Sequence, residues 1–182
     1  MEKRIYTMDI EFESVEAIKA FQEQKLHEQL VYLQEHSPFY QRMFHEQHID
    51  INKIHLLEDL QQLPFTEKAD LHRCSNDFLC CTRREIVDYS TTSGTTGEPV
   101  TFAYTDKDLE RQALNEYKSF MTAGVTEDSV VQLMLTMDKR FIAGMAYSLG
   151  LRKLGAGIIR VGNGIPELQW DTIQRVQPDT LM

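Results

Sequence analysis

The first eighty residues carry apolar positions at helical spacing. Val15, Ile18 and Phe21 are followed by Leu26, Leu30 and Leu33, so residues 14 to 48 read as helical, with Ser14 as the cap. The pattern breaks at "HSPFY". There Ser37 suits an N-cap, and Pro38 suits the first helical position, where a missing N–H costs nothing. Tyr40, Phe44 and Ile49 continue an apolar stripe. "LLEDLQQL" reads as a short helix ended by Pro64, and Thr66 as the cap of another running through Leu71.

From Glu85 the periodicity changes. "EIVDYS" and "VTFAYT" read as two strands of a hairpin. Thr105, with Asp108 three places on, forms a capping-box pattern for a helix reaching about Ala123, where Gly124 stops it. "SVVQLMLT", residues 129 to 136, is a nearly continuous apolar run, as in a strand buried on both faces. "FIAGMAYSLGLRKL" is a helix closed by Gly155, and "GIIRVG" is the next strand. Pro166 opens a helix that ends before Pro178, and "DTLM" begins a further strand. This alternation predicts right-handed parallel crossovers. The expected fold class is α/β: an N-terminal helical subdomain over residues 1–84, then a hairpin and a βαβαβ parallel-sheet unit over residues 85–182. A final strand at Met182 raises the expectation that the chain is the first part of a larger protein.

Composition narrows the function. The chain has 182 residues, 42% hydrophobic, with a formal charge of −9. That charge opposes nonspecific binding to nucleic acid, which depends on Lys and Arg neutralising phosphates. Any anion site must therefore be local. Three cysteines make no paired disulfide framework, and the N-terminus lacks the apolar stretch of a signal peptide. No run approaches the roughly 18 apolar residues of a membrane span. A cytoplasmic protein with no membrane partner is expected. "HRCSNDFLCC" lacks the ligand spacing of a zinc site, so no metal ligand is assigned. In "VGNGIPE", Glu167 stands where a dinucleotide fingerprint has its third glycine, and a tight turn feeding a proline-started helix accounts for the segment.

The candidate chemistry lies between the hairpin strands, in "YSTTSGTTGEPVTF". Glycines let backbone N–H groups converge, and short hydroxyls add donors without bulk, which suits an anion cradle. The same composition also suits a polar hairpin tip. The loop carries no positive charge, and it lacks the spacing and Lys-Ser/Thr of a Walker loop.

The order Thr92-Ser93-Gly94-Thr95-Thr96-Gly97-Glu98-Pro99 resembles the phosphate-binding loop of adenylate-forming enzymes, the acyl-CoA synthetase superfamily. Val100 stands where most of that superfamily has Lys or Arg, a departure shared by the phenylacetate–CoA ligase family. "EHSPFYQRMF", "LEDLQQLPFTEKADL", "AGVTEDSVVQ" and "LRKLGAGII" are similar to that family in wording and order. The resemblance implies an N-terminal portion of a ligase that converts a carboxylic acid and ATP to an acyl-adenylate and then transfers the acyl group to coenzyme A. Magnesium is implied for the complete enzyme, with no cofactor assigned to this chain by itself.

The resemblance also implies that Thr92, Ser93, Gly94, Thr95, Thr96 and Gly97 hold the β- and γ-phosphates. It assigns no catalytic acid or base here. Phe141 and Gly144 match positions lining the family's acid pocket, whereas Met137, Asp138, Lys139 and Arg140 depart from its Tyr/Gly-rich turn. Lys139 or Arg140 would favour a more polar or anionic acid, or else the turn is simply solvated. The family's ribose-binding aspartate, metal-binding acid and mobile lysine-bearing domain are expected beyond this chain, which alone should not form an adenylate. A stand-alone remnant or interaction module that keeps the fold is the alternative. The sequence leaves a homodimer open.

Overall fold

The structure, a computed structural model, describes residues 10–94 and 98–182. They fall into two compact units, divided between Cys81 and Thr82.

In the first unit, α1 (Val15–His36) starts where the Ser14 hydroxyl oxygen accepts from the Ala17 N–H at 3.2 Å. α2 (Pro38–Glu46) follows after a single residue. That residue, Ser37, is fully buried and serves both helices. Its N–H donates to the Leu33 carbonyl, closing α1, and its side-chain oxygen accepts from the Tyr40 N–H, opening α2. Its hydroxyl also donates to the Asp77 carbonyl at 3.0 Å. The turn brings Leu30 against Phe44, Ile51 and Ile54, the core of this unit.

"LEDLQQ" forms a 3-10 turn, Leu57–Gln62. The cap expected at Thr66 lies one residue later. α3 (Lys68–Cys74) begins after Glu67, whose N–H donates to the Asp70 carboxylate at 2.9 Å. Thr66 instead places its hydroxyl 3.4 Å from that of Tyr40, a contact distant in sequence.

In the second unit, β1 (Ile86–Thr91) and β2 (Thr101–Thr105) pair antiparallel as expected, with a register shift between Ile86 and Asp88. The chain passes directly from β2 into α4 (Asp106–Thr122). Thr105 and Asp108 cap it reciprocally: the Asp108 carboxylate accepts from both the Thr105 N–H and hydroxyl at 2.8 Å, and the Asp108 N–H donates back. A parallel sheet follows, built from β3 (Val130–Leu133), β4 (Gly157–Arg160) and β5 (Thr180–Leu181) in the order β4-β3-β5. The crossovers run through α5 (Ile142–Leu154) and α6 (Pro166–Val176).

Alternation along β3 assigns the two faces. Val131 and Leu133, both fully buried, pack with Phe120 of α4 and Leu151 of α5. Gln132, also fully buried, points the other way and donates from Nε2 to the side-chain oxygen of Gln169 in α6 at 2.8 Å.

β3 is shorter than the apolar run 129 to 136 predicts. The N–H groups of Val161 and Gly162 both donate to the Leu133 carbonyl, at 3.1 and 3.2 Å, and β4 turns away at Gly162 with φ of 78°. Beyond Leu133 the chain has lost its partner on that side, and hydrophobicity alone does not hold it in a strand.

Two stability predictions follow from the second unit. A Cβ at Gly150 would collide with the Glu116 side chain and lie 2.9 Å from its carbonyl carbon, because α4 and α5 pack backbone to backbone there. Gly150→Ala should therefore destabilise the fold by about 1–3 kcal/mol in urea unfolding, despite the better helix propensity of alanine. The second concerns Asp108. Burial alone would raise its carboxyl pKa, but hydrogen bonds from Thr105 and pairing with Arg111 hold it below the ordinary value. A depressed carboxylate contributes stability above its unfolded pKa and loses it as pH falls through the folded one. Thr105→Ala should cost about 1 kcal/mol near neutral pH. That cost should shrink as pH falls below the ordinary aspartate range, read as converging urea midpoints.

Candidate functional site

The Ser/Thr/Gly segment leaves β1 and returns to β2 through a hydrogen-bonded neck. The Thr92 N–H donates to the Val100 carbonyl at 3.0 Å, and the Val100 N–H donates to the Thr92 hydroxyl oxygen at 3.0 Å. Val100 is buried, so the neck is anchored through its side chain as well. Among the predicted phosphate ligands, Thr92 thus commits its N–H and one lone pair to the scaffold, and its hydroxyl hydrogen is left for a ligand. Gly94 adopts φ of 73°, a left-handed conformation that turns the backbone at little steric cost. Thr95, Thr96 and Gly97 lie outside the described residues.

One residue before the neck, the Thr91 N–H donates to the Arg140 carbonyl at 3.1 Å. This ties the end of β1 to the turn that follows β3, where Lys139 and Arg140 are consecutive left-handed residues, φ 58° and 60°. Non-glycine residues rarely occupy that region, and such strain persists where surrounding contacts hold it. The Thr91–Arg140 hydrogen bond is one such contact.

A cavity of about 220 Å³ lies beneath the tie. Asp88, Tyr89 and Ser90 of β1 line one side, with Met137, Arg140 and Phe141 from the turn opposite. Ile142 and Met145 of α5 complete it. The Ser90 hydroxyl lies 2.8 Å from that of Tyr104, and the Asp88 carboxylate accepts from the Tyr89 N–H at 2.6 Å.

Of the two predicted pocket residues, Phe141 is among the lining groups and Gly144 is not. Gly144 is buried at the start of α5, where a Cβ would collide with the Thr136 carbonyl oxygen and sit 3.0 Å from the Met137 sulfur. Its place in the structure is a close approach of helix to turn.

A second, wider cavity of about 530 Å³ opens at the carboxyl ends of β3 and β4. Thr136, Met137 and Asp138 line it from one loop, Arg160 from the end of β4, and Gly162 and Asn163 from the loop that follows. The Asn163 amide donates to the Thr136 hydroxyl at 2.8 Å, bridging the two loops, and Gln169 donates to the Gly162 carbonyl at 2.6 Å. Crevices outside the carboxyl ends of parallel strands are the usual ligand sites of open α/β sheets. The sequence reading missed Arg160, Thr136 and Asn163. The signal was available for Thr136 and Asn163, which lie where a predicted strand gives way to a turn, whereas Arg160 falls within the predicted strand "GIIRVG".

The two cavities share Met137, and each is lined by an arginine that makes no ion pair among the described residues. The arrangement suits anionic or polar small molecules. No group of three or more histidine, cysteine or carboxylate side chains among the described residues is placed to hold a metal ion.

No protein-family model matches the chain. Curated relatives include the phenylacetate-coenzyme A ligase of Thermus thermophilus, 30% identical over 178 residues, which are 97% of this chain and 40% of that protein. The phenylacetate-coenzyme A ligase of Escherichia coli is 30% identical over 174 residues, 95% of this chain and again 40% of the relative. This chain therefore spans about two fifths of the curated relatives it matches. Among solved structures, 2-hydroxyisobutyryl-CoA ligase in complex with 2-HIB-AMP and CoA superposes with a TM-score of 0.82 at 22% identity, covering 92% of this chain and 37% of that one. An open conformation of that ligase gives 0.80 at 20% identity. Along nearly its whole length the chain is similar in sequence to about two fifths of the phenylacetate-coenzyme A ligases, and its fold is that of the matching part of a CoA ligase.

Proposed function

We propose that this chain forms the phosphate-contacting portion of an ATP-dependent carboxylate–CoA ligase. The observation that carries the reading is the placement of the loop. A segment with the residue order of an adenylate-forming phosphate loop springs from a neck pinned by Thr92 and Val100, and that neck is tied through Thr91 to the turn at the end of β3. The names of the curated relatives and the acyl-AMP and CoA complexes of the structural neighbour support the same chemistry.

In the reaction, an oxygen of the carboxylate attacks the α-phosphorus of ATP, and pyrophosphate leaves. The coenzyme A thiol then attacks the acyl carbon, and AMP leaves. The part played by this chain is positioning and charge stabilisation. Donors of Thr92, Ser93, Gly94, Thr95, Thr96 and Gly97 hold the β- and γ-phosphates, so that attacking and leaving oxygens stay in line. Holding reactants in such geometry is worth roughly 7–11 kcal/mol of barrier. Phe141 packs against the acid. The described residues provide no carboxylate cluster suited to magnesium, so no step is assigned to them through a metal. No helix among the described residues is long and apolar enough to cross a membrane, and we place the protein in the cytoplasm.

The test is carboxylate-dependent ATP–pyrophosphate exchange, together with a titration of the chain by pyrophosphate. Pyrophosphate should shift the amide resonances from Thr92 to Gly97 in the chain by itself. Exchange should stay at background in this chain and appear once it is joined to the part of the Thermus thermophilus ligase that it does not match. Silence of both the loop amides and the fusion would refute the reading.

The neck makes a further prediction. Thr92→Val removes the acceptor of the Val100 N–H, and an unmet amide of this kind costs about 1–3 kcal/mol. Pyrophosphate binding should weaken several-fold in Thr92→Val and stay close to that of the unaltered chain in Thr92→Ser, which keeps the oxygen. Equal effects of both substitutions would show that the neck does not preorganise the loop.

A further inference from the structure

We infer that Arg140 is the specificity group of the acid site, and that it selects short carboxylic acids carrying a second oxygen function. This rests on the ligase reading for the identity of the site, and it extends that reading to the substrate class. The sequence offers two cations in the turn, Lys139 and Arg140, and the structure separates them. Arg140 lines the 220 Å³ cavity beside Phe141, and Lys139 does not.

The position of Arg140 is held from both sides. Its carbonyl accepts from the Thr91 N–H at 3.1 Å, and its left-handed φ of 60° follows directly on the left-handed Lys139. Its guanidinium makes no ion pair among the described residues, so no internal carboxylate competes for it. Asp88, the acid in the same lining, already accepts from the Tyr89 N–H. The exposed Arg140 and the half-buried Asp88 thus bring one cation and one carboxylate to a lining otherwise rich in Met137, Phe141, Ile142 and Met145.

A purely hydrocarbon acid would gain nothing from either group, and sites that hydrogen-bond a substrate discriminate against analogues that lack the group. A hydroxyl on the acid's chain would satisfy both groups, and a second carboxylate would satisfy Arg140 alone. Arginine matches a carboxylate with two parallel hydrogen bonds, and a hydroxyl can accept from Arg140 while donating to Asp88. The common requirement is an acceptor oxygen beyond the reacting carboxylate.

The test uses the 182-residue chain and three acids of equal chain length: butyrate, 3-hydroxybutyrate and succinate. Binding is read from the side-chain Nε–H resonances of arginine and the amides of Tyr89 and Phe141. Both substituted acids should bind at least tenfold more tightly than butyrate. Tighter binding of succinate than of 3-hydroxybutyrate identifies a second carboxylate as the preferred group, and the reverse order identifies a hydroxyl. Arg140→Gln should abolish the preference, Arg140→Lys should retain part of it, and Lys139→Ala should leave it intact. Pyrophosphate titrated into the same variants separates a role in phosphate binding: loss of pyrophosphate affinity in Arg140→Gln with unchanged acid preference would overturn the inference. So would equal binding of all three acids, or no binding of any. If the preference holds and the fusion described above gives no exchange, the acid site stands and the ligase reading falls.

Discussion

The Leu133 carbonyl accepts from two successive N–H groups, those of Val161 and Gly162, and the site depends on where this places the end of the sheet. A regular parallel ladder gives each carbonyl one inter-strand donor. Here the doubled acceptance stops the β3–β4 ladder and lets Gly162 swing the backbone away. Met134 still donates to the Met182 carbonyl on the β5 side, and residues 135 to 141 then run as a turn instead of a strand. That turn lines both cavities and supplies the carbonyl that catches β1. Had the ladder continued through the apolar "MLT", Met137 and Arg140 would have been carried away from the hairpin.

Gln132 shows what this arrangement costs. It is fully buried on the face opposite Val131 and Leu133, where a hydrophobic residue would pack without penalty. Its Nε2 reaches Gln169, and Gln169 reaches the Gly162 carbonyl, so a chain of amides links the central strand to α6 and to the loop after β4. The Gln132 Oε1 has no hydrogen-bond partner, which typically costs about 1–3 kcal/mol. In return, α6 is held in register against the strand by directional bonds that sliding would break, and the wall of the wider cavity is held with it.

Much of the local structure was legible because its causes are local. Ser14, Ser37 and Thr105 each act on a group three residues away, within reach of a pattern read along the chain. The order of strands and helices in the second unit followed from alternating periods for the same reason. What escaped the reading depends on groups distant in sequence. The cap at Glu67 displaced Thr66, whose hydroxyl meets Tyr40 from another helix. The end of β3 was set by its neighbour. Gly144 matched a pocket position, yet its lack of a side chain is required by the Thr136 carbonyl. Nothing in the one-dimensional pattern could choose between Lys139 and Arg140, since only the path of the turn puts one of them against the cavity.

The Thr92–Val100 clasp separates the integrity of the hairpin from the length of what it encloses. Both of its hydrogen bonds, and the burial of Val100, lie at the two ends of the glycine- and hydroxyl-rich stretch, of which Thr92 is the first phosphate-loop member. Closure entropy grows slowly with length, each doubling of the number of enclosed residues costing only about 0.6 kcal/mol. Residues could thus be gained or lost between Ser93 and Pro99 without unmaking β1 and β2. A lineage can vary the cradle freely while its foundation is inherited unchanged, and an engineer can graft a loop of different length onto the same two residues.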